Sequence, residues 1–168
     1  MLKILIVAAL VLVPAVALSS GHGDEKGLLK GIRRILVSFK VAPELEAEGI
    51  SAGALRNVLE MQVETSGVVT LAKGNENSDA SFVVFLNGTS LEPEPGRKYW
   101  AVNVSTRLQQ PVRLLRSGDP FRGGTWHRTT MFWISPEEDK SRAIKQRVTY
   151  LVDVFLSDLA RANVVSEE

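Results

Sequence analysis

Residues Lys98 to Arg116 read KYWAVNVSTRLQQPVRLLR. Trp100, Val102, Val104, Thr106 and Leu108 fall on one side of an extended chain. Tyr99, Ala101, Asn103, Ser105 and Arg107 fall on the other. A period of two with one apolar side is the pattern of a half-buried strand, and it commits this region to a sheet. Pro111 cannot donate to a ladder, so the strand bends or reaches an edge there.

Reading outward towards the C-terminus, SGDPFRGG (residues 117–124) has loop composition and GTWHRTTMFWI (124–134) is strand-like. Alternation sets Trp126, Arg128, Thr130, Phe132 and Ile134 against His127, Thr129, Met131 and Trp133. One of these two faces must lie beneath the helices. Ser135 as N-cap, Pro136 at the first helical position and Glu138 three residues after the cap predict a helix start. Ile144, Val148, Leu151, Phe155 and Leu159 recur at helical spacing, so a long amphipathic helix ends near Asn163.

Reading outward towards the N-terminus, LEPEPG (91–96) reads as a loop, with two prolines and a glycine. SFVVFL (81–86) is a continuous apolar run of strand length, expected to be central and covered on both faces. NENSD is a turn and VVTLAK (68–73) a short strand. Ser51 caps a helix from Ala52 to about Thr65, and Gly67 stands where a helix-ending glycine belongs. Ile35, Val37, Phe39 and Val41 alternate with Leu36, Ser38 and Lys40 in a first strand. The order β-α-β-β-β-β-α defines one α+β domain over residues 32–164. It predicts a mainly antiparallel or mixed sheet of four to five strands with two helices on one face.

Before that domain the chain has a charged start, the apolar run ILIVAALVLV from Ile4 to Val13, Pro14, and small residues in AVALSS. This is the layout of a secretory signal peptide over residues 1–19, cleaved after Ala17 or Ser19. The run is shorter than the roughly 20 apolar residues a spanning helix needs, so no stable membrane span is expected after cleavage. Residues 20–31 read as a flexible leader and 165–168 as a tail. There is no cysteine, which excludes a lipid-anchored cysteine, disulfides, thiolate metal sites and a cysteine nucleophile. The expected location is a bacterial periplasm or the exterior.

The whole chain has 20 basic and 19 acidic residues, and loss of Lys3 with the signal leaves 19 of each. A net-neutral exported chain does not suit nucleic acid, whose binding rests on neutralising many phosphates. Charge is uneven, however. Arg97, Lys98, Arg107, Arg113, Arg116, Arg122 and Arg128 face a single acid, Asp119, across residues 97–128. Such a segment attracts anionic partners.

With the elements placed, two resemblances stand out. The order resembles the small α/β domain of bacterial envelope proteins such as the TolB amino-terminal domain and peptidoglycan-synthase activator lipoproteins. From about Arg34 to Asn163 the chain also resembles a family of exported bacterial proteins that is itself functionally uncharacterised. The residues that carry this second likeness are SAGALRNVLEMQVETSGV, FVVFLNG, YWAVNVSTRLQQPVRLLR, Thr125–Trp126 and IKQRVTYLVDVFLSDLARAN. FVVFLNG departs from the family, where a more polar strand with Tyr and Asn is usual. The resemblance implies an exported α+β fold and transfers no catalytic residue.

No phosphate loop, dinucleotide glycine motif, nucleophile elbow or H-E-x-x-H is present, so no cofactor and no catalytic residue is assigned. Glu44, Glu46 and Glu48 would share one side if extended, but solvated acids beside a turn explain them. His22 would complete a Cu(II) or Ni(II) nitrogen set if cleavage follows Ser19. Cleavage after Ala17 removes that site, and no other metal site is expected. His127 is the candidate general base by residue type, outweighed by a structural or surface role for want of a partner in the sequence. The reading is a non-enzymatic binding or accessory module of the envelope. Its partner would be another envelope protein or an anionic envelope polymer, and Arg107, Arg113, His127 and Trp133 mark its surface. The alternative is a small hydrolase-like enzyme with a site near His127.

Overall fold

The computed structural model describes residues 25–74, 76–114 and 116–164. The signal segment, His22 and the 165–168 tail lie outside the described residues. The elements are α1 (Glu25–Leu29), β1 (Arg34–Val41), α2 (Pro43–Ala47), α3 (Ala52–Ser66) and β2 (Thr70–Leu71), followed by β3 (Ala80–Glu94), β4 (Arg97–Arg113), β5 (Pro120–Ile134) and α4 (Lys140–Val164). One five-stranded sheet has the order β2-β1-β3-β4-β5. β1 runs parallel to both β2 and β3, and β3, β4 and β5 form an antiparallel meander. The chain is thus a single α+β domain with a mixed sheet, and the expected order holds once α1 and α2 are added.

Alternation explains which face is covered. Ile35 and Val37 on β1, Phe82, Val84 and Leu86 on β3, and Trp100, Val102, Val104 and Leu108 on β4 are buried. Trp126 and Ile134 of β5 join them beneath α3 and α4. Phe155 of α4 stacks on Phe82 with ring centroids 4.5 Å apart and meets Trp126 edge-on at 5.2 Å. The face carrying Trp126 and Phe132 is therefore the covered one. The continuous run of β3 is central, as read from the sequence, but helices cover only one of its faces. On the other, Val83 is buried by neighbouring side chains instead.

The helix ends follow local chemistry. Ser51 Oγ accepts from Ala54 N–H at 3.3 Å, and Gly67 closes α3 at φ 64°, a left-handed conformation that glycine adopts without penalty. At α4 the sequence reading needs correction. Glu138 does accept from Ser135 N–H at 3.0 Å, but this bond closes a turn. Asp139 is the residue that caps the helix, accepting from Arg142 N–H at 3.0 Å, so α4 begins at Lys140.

Three further segments differ from the sequence reading. LEPEPG is not a loop, since β3 runs to Glu94 and a turn at Pro95–Gly96 leads into β4. Pro93 is tolerated because β1 pairs with β3 no further than Leu86, which leaves that edge free. SGDPFRGG is strand from Pro120 onward. Within the segment read as a leader, α1 forms and buries Leu29, while Gly31 N–H donates to Asn163 Oδ1 at 2.9 Å.

Candidate functional site

The face of the sheet turned away from α3 and α4 is built row by row from strand register. Ala101 pairs with Trp133, Asn103 with Met131, Ser105 with Thr129 and Arg107 with His127 across β4 and β5. On the other flank Thr89, Asn87, Phe85 and Val83 continue the same four rows into β3. Lys40 and Ser38 of β1 extend the last two. All four residues expected to mark a surface lie on this face by register. Arg107 and His127 are direct neighbours. Trp133 stands at one end of the face, and Arg113, paired with Pro120, at the other.

The exposed end is apolar. Trp133 is 60% exposed and Met131 70%, both unusually open for residues of their kind. Leu91, Glu92, Pro93, Tyr99 and Trp133 wall a hollow of about 440 Å³, with Glu92 its one charged residue. A neighbouring hollow of about 300 Å³ lies over Gly88 and Ala101, edged by Asn87, Asn103 and Met131. Thr129 Oγ1 donates to Asn103 Oδ1 at 2.9 Å, which leaves the Asn103 amide nitrogen for other contacts.

The basic end is arranged around Phe85. Lys40 Nζ lies 5.4 Å and Arg107 Cζ 5.8 Å from its ring centroid, within cation–π range. Gly124 makes room for this, because the Arg107 stem passes 3.4 Å from where a Cβ would stand. Arg122 Nη1 donates to Ser81 Oγ at 2.8 Å on the same face. Arg122 arrives there because Trp126 pairs with Leu108 while Gly124 pairs with Gln109, so Thr125 is an extra residue. This bulge inverts the alternation of everything before it. Residue order therefore names Arg122 among the basic residues of this segment without placing it on this face, although the adjacent Gly123–Gly124 pair is a bulge signal. It leaves Phe85 unplaced too, because that placement depends on pairing between distant segments.

The other cations of the 97–128 segment are used differently. Arg97 pairs with Glu94 and Glu137, and Arg128 with Asp158. Lys98 and Lys140 both hold Glu48 and both lie over the Trp100 ring. The Glu48 carboxyl is lowered from its ordinary range chiefly by its hydrogen bond from Lys140, then by that from Lys98. Glu44 and Glu46 belong to α2, so the extended row of three glutamates does not form. Among the described residues no three metal-ligating side chains come together.

His127 does have a partner. Ser105 Oγ lies 3.0 Å from its Nε2. The imidazole is exposed on the open face, and among the described residues no carboxylate bonds to it. No helix among the described residues is long and apolar enough to cross a membrane.

No protein-family model matches the chain, and no curated protein matches it. Several solved structures show similarity to the chain at low identity. A PelC variant from Paraburkholderia phytofirmans, crystallised as a dodecamer, has 13% identity and a TM-score of 0.44 over 77% of this chain and 87% of that one. A Xanthomonas campestris protein of the DUF330 family has 11% identity and a TM-score of 0.43 over 77% and 81%. Lipoprotein GNA1162 from Neisseria meningitidis has 12% identity and a TM-score of 0.32 over 74% and 99%. These likenesses transfer no residue role to the present chain.

Proposed function

We propose that the chain is an exported, non-catalytic binding or accessory module of the bacterial envelope, which takes its partner on the open face of the sheet. The observation that carries this reading is the uncovered face itself. Trp133 and Met131 are exposed at one end, and Arg107, Arg122 and Lys40 gather at the other. Large exposed apolar side chains beside uncompensated cations favour a partner that is partly apolar and anionic. Export rests on the signal-like start, and the element order resembling envelope domains such as that of TolB agrees with it. Arg107, Arg113, His127 and Trp133 are the residues assigned to the surface.

The test is recovery of partners from envelope extract on immobilised protein. Charge reversal by R107E with R113E is expected to deplete the recovered partner. Recovery unchanged by that pair would remove the basic part of the surface from the proposal.

One observation favours a second reading. The 3.0 Å contact between Ser105 and His127 is the start of a hydroxyl–imidazole nucleophile. It has no third group among the described residues to orient the ring. Hydrolysis of p-nitrophenyl acetate that is abolished by S105A would support this reading, and a rate unaffected by S105A would end it.

A further inference from the structure

The open face has an electrostatic property that the chain's balanced composition hides. Within the bounds of Leu36 on β1, Leu91 on β3, Tyr99 on β4 and Trp133 on β5, no outward-facing strand residue is Asp or Glu, while Lys40, Arg107, Arg113 and Arg122 are cationic. The acids Glu92 and Glu94 stand beyond Leu91 at the far, apolar end, where Glu94 pairs with Arg97. By contrast Arg97, Lys98, Arg128 and Lys140 all meet carboxylates. Among the described residues, the four cations of the open face make no ion pair. Two of them, Lys40 and Arg107, lie 5.4 Å and 5.8 Å from the centroid of the same ring, that of Phe85, with no counter-charge bonded to either among the described residues. A carboxylate bound between them supplies that counter-charge and offers the planar guanidinium a matching acceptor.

We infer that this face binds a strand of acidic polysaccharide whose sugars carry carboxylates, as uronic acids do. The inference rests on the open face being the binding surface, as proposed above. Three features single out this chemistry. Trp133 and Tyr99 line the larger of the two hollows, and aromatic rings suit the apolar side of a sugar. The middle rows carry neutral hydrogen-bonding groups, Asn87, Asn103 and Thr129, matched to hydroxyls. The cations stand beyond them. Trp133 lies six residue steps along β5 from His127, about 20 Å of strand, so the ligand is extended over several sugar rings.

Other anionic partners fit less well. The ladder already uses the backbone groups of β3 and β4. An acidic peptide laid across the face would therefore leave its own backbone groups without partners in an apolar hollow. A phospholipid surface matches the cations and Trp133 but not the polar rows between them. A uronic acid carries the apolar ring face, the hydroxyls and the carboxylate in one unit.

The protein reports on its own ligand. Trp100 and Trp126 are 3% and 2% exposed against 60% for Trp133, so an emission change on binding belongs to Trp133. The probes are a mannuronate hexasaccharide, neutral maltohexaose, polyglutamate and phosphatidylglycerol vesicles, each added to the purified chain and followed by fluorescence and calorimetry. Mannuronate is expected to shift Trp133 emission saturably and to bind more weakly as salt rises, and maltohexaose is expected to do neither. R107E with R122E should weaken mannuronate binding at least ~10-fold while the thermal midpoint stays in place, and W133F should remove the emission response.

Absence of calorimetric binding by mannuronate overturns the inference. So does equal binding of polyglutamate, or a Trp133 response to vesicles alone. If partner recovery from envelope extract depends on Arg107 while mannuronate does not bind, the open-face reading stands and the polysaccharide assignment falls. If neither responds, both fall.

Discussion

The indole N–H of Trp126 donates to Asp158 Oδ2 at 3.1 Å, joining the buried side of β5 to α4. Arg128 reaches the same oxygen at 3.3 Å. Asp158 thus satisfies a donor that burial would otherwise leave without an acceptor. D158A is expected to destabilise the fold by about 1–3 kcal/mol in urea unfolding, and D158N by less, since the amide retains an accepting oxygen.

Trp126 and Trp133 sit on one strand and have opposite duties. W126A opens a hole against Phe82 and Phe155 and should lose about 3–5 kcal/mol. W133A removes a side chain that is 60% exposed and should stay within about 0.5 kcal/mol of the parent. Equal losses for the two would show that the outer face is covered in solution.

Glu48 gives the fold a pH-sensitive contact. Its folded carboxyl titrates below the ordinary value of 4.5, held down first by Lys140 and then by Lys98. A depressed carboxyl contributes stability that is fully present above its unfolded value and disappears as pH falls through the folded one. The advantage of the parent over E48Q should therefore be constant near neutrality and vanish on acidification below 4.5. Glu137 is lowered in the same direction, chiefly by its own backbone N–H, so the difference from E48Q is the quantity to follow across the pH series.

Gly88 is a packing requirement. A Cβ there would stand 2.9 Å from Leu45 Cδ2 and 3.1 Å from its Cγ, and Leu45 is fully buried. G88A should cost about 1–3 kcal/mol through displacement of α2. Combined with L45V, part of that loss should return, giving a non-additive double-mutant cycle.

Thr125 Oγ1 is buried and has no hydrogen-bond partner among the described residues. T125V keeps the shape and removes the hydroxyl, so it should stabilise by about 1 kcal/mol in thermal or urea unfolding.

Much of this architecture could be read directly from residue order. The alternation from Tyr99 to Leu108 assigns the two sheet faces, and Ser51 with Gly67 marks both ends of α3. What escaped the reading lies where neighbouring chain relaxes a local rule. Pro93 and Pro111 look like strand breakers until β1 and β3 are seen to end before reaching them. Ser135 and Pro136 look like a helix start until Asp139 is found to supply the cap. The candidate surface was half legible. Arg107, His127 and Trp133 follow from parity, whereas the place of Arg122 depends on a bulge and that of Phe85 beside Lys40 on pairing between distant segments.

The extra residue at Thr125 makes chain length, rather than side-chain chemistry, a control on the charge of the outer face. Removing one residue there would restore continuous alternation and turn Arg122 towards the helices, while the strands on either side keep their partners. Homologous chains that differ by a single insertion or deletion at this point would share a fold and differ in what their outer surfaces attract. Aligning them by substitutions alone would miss the change.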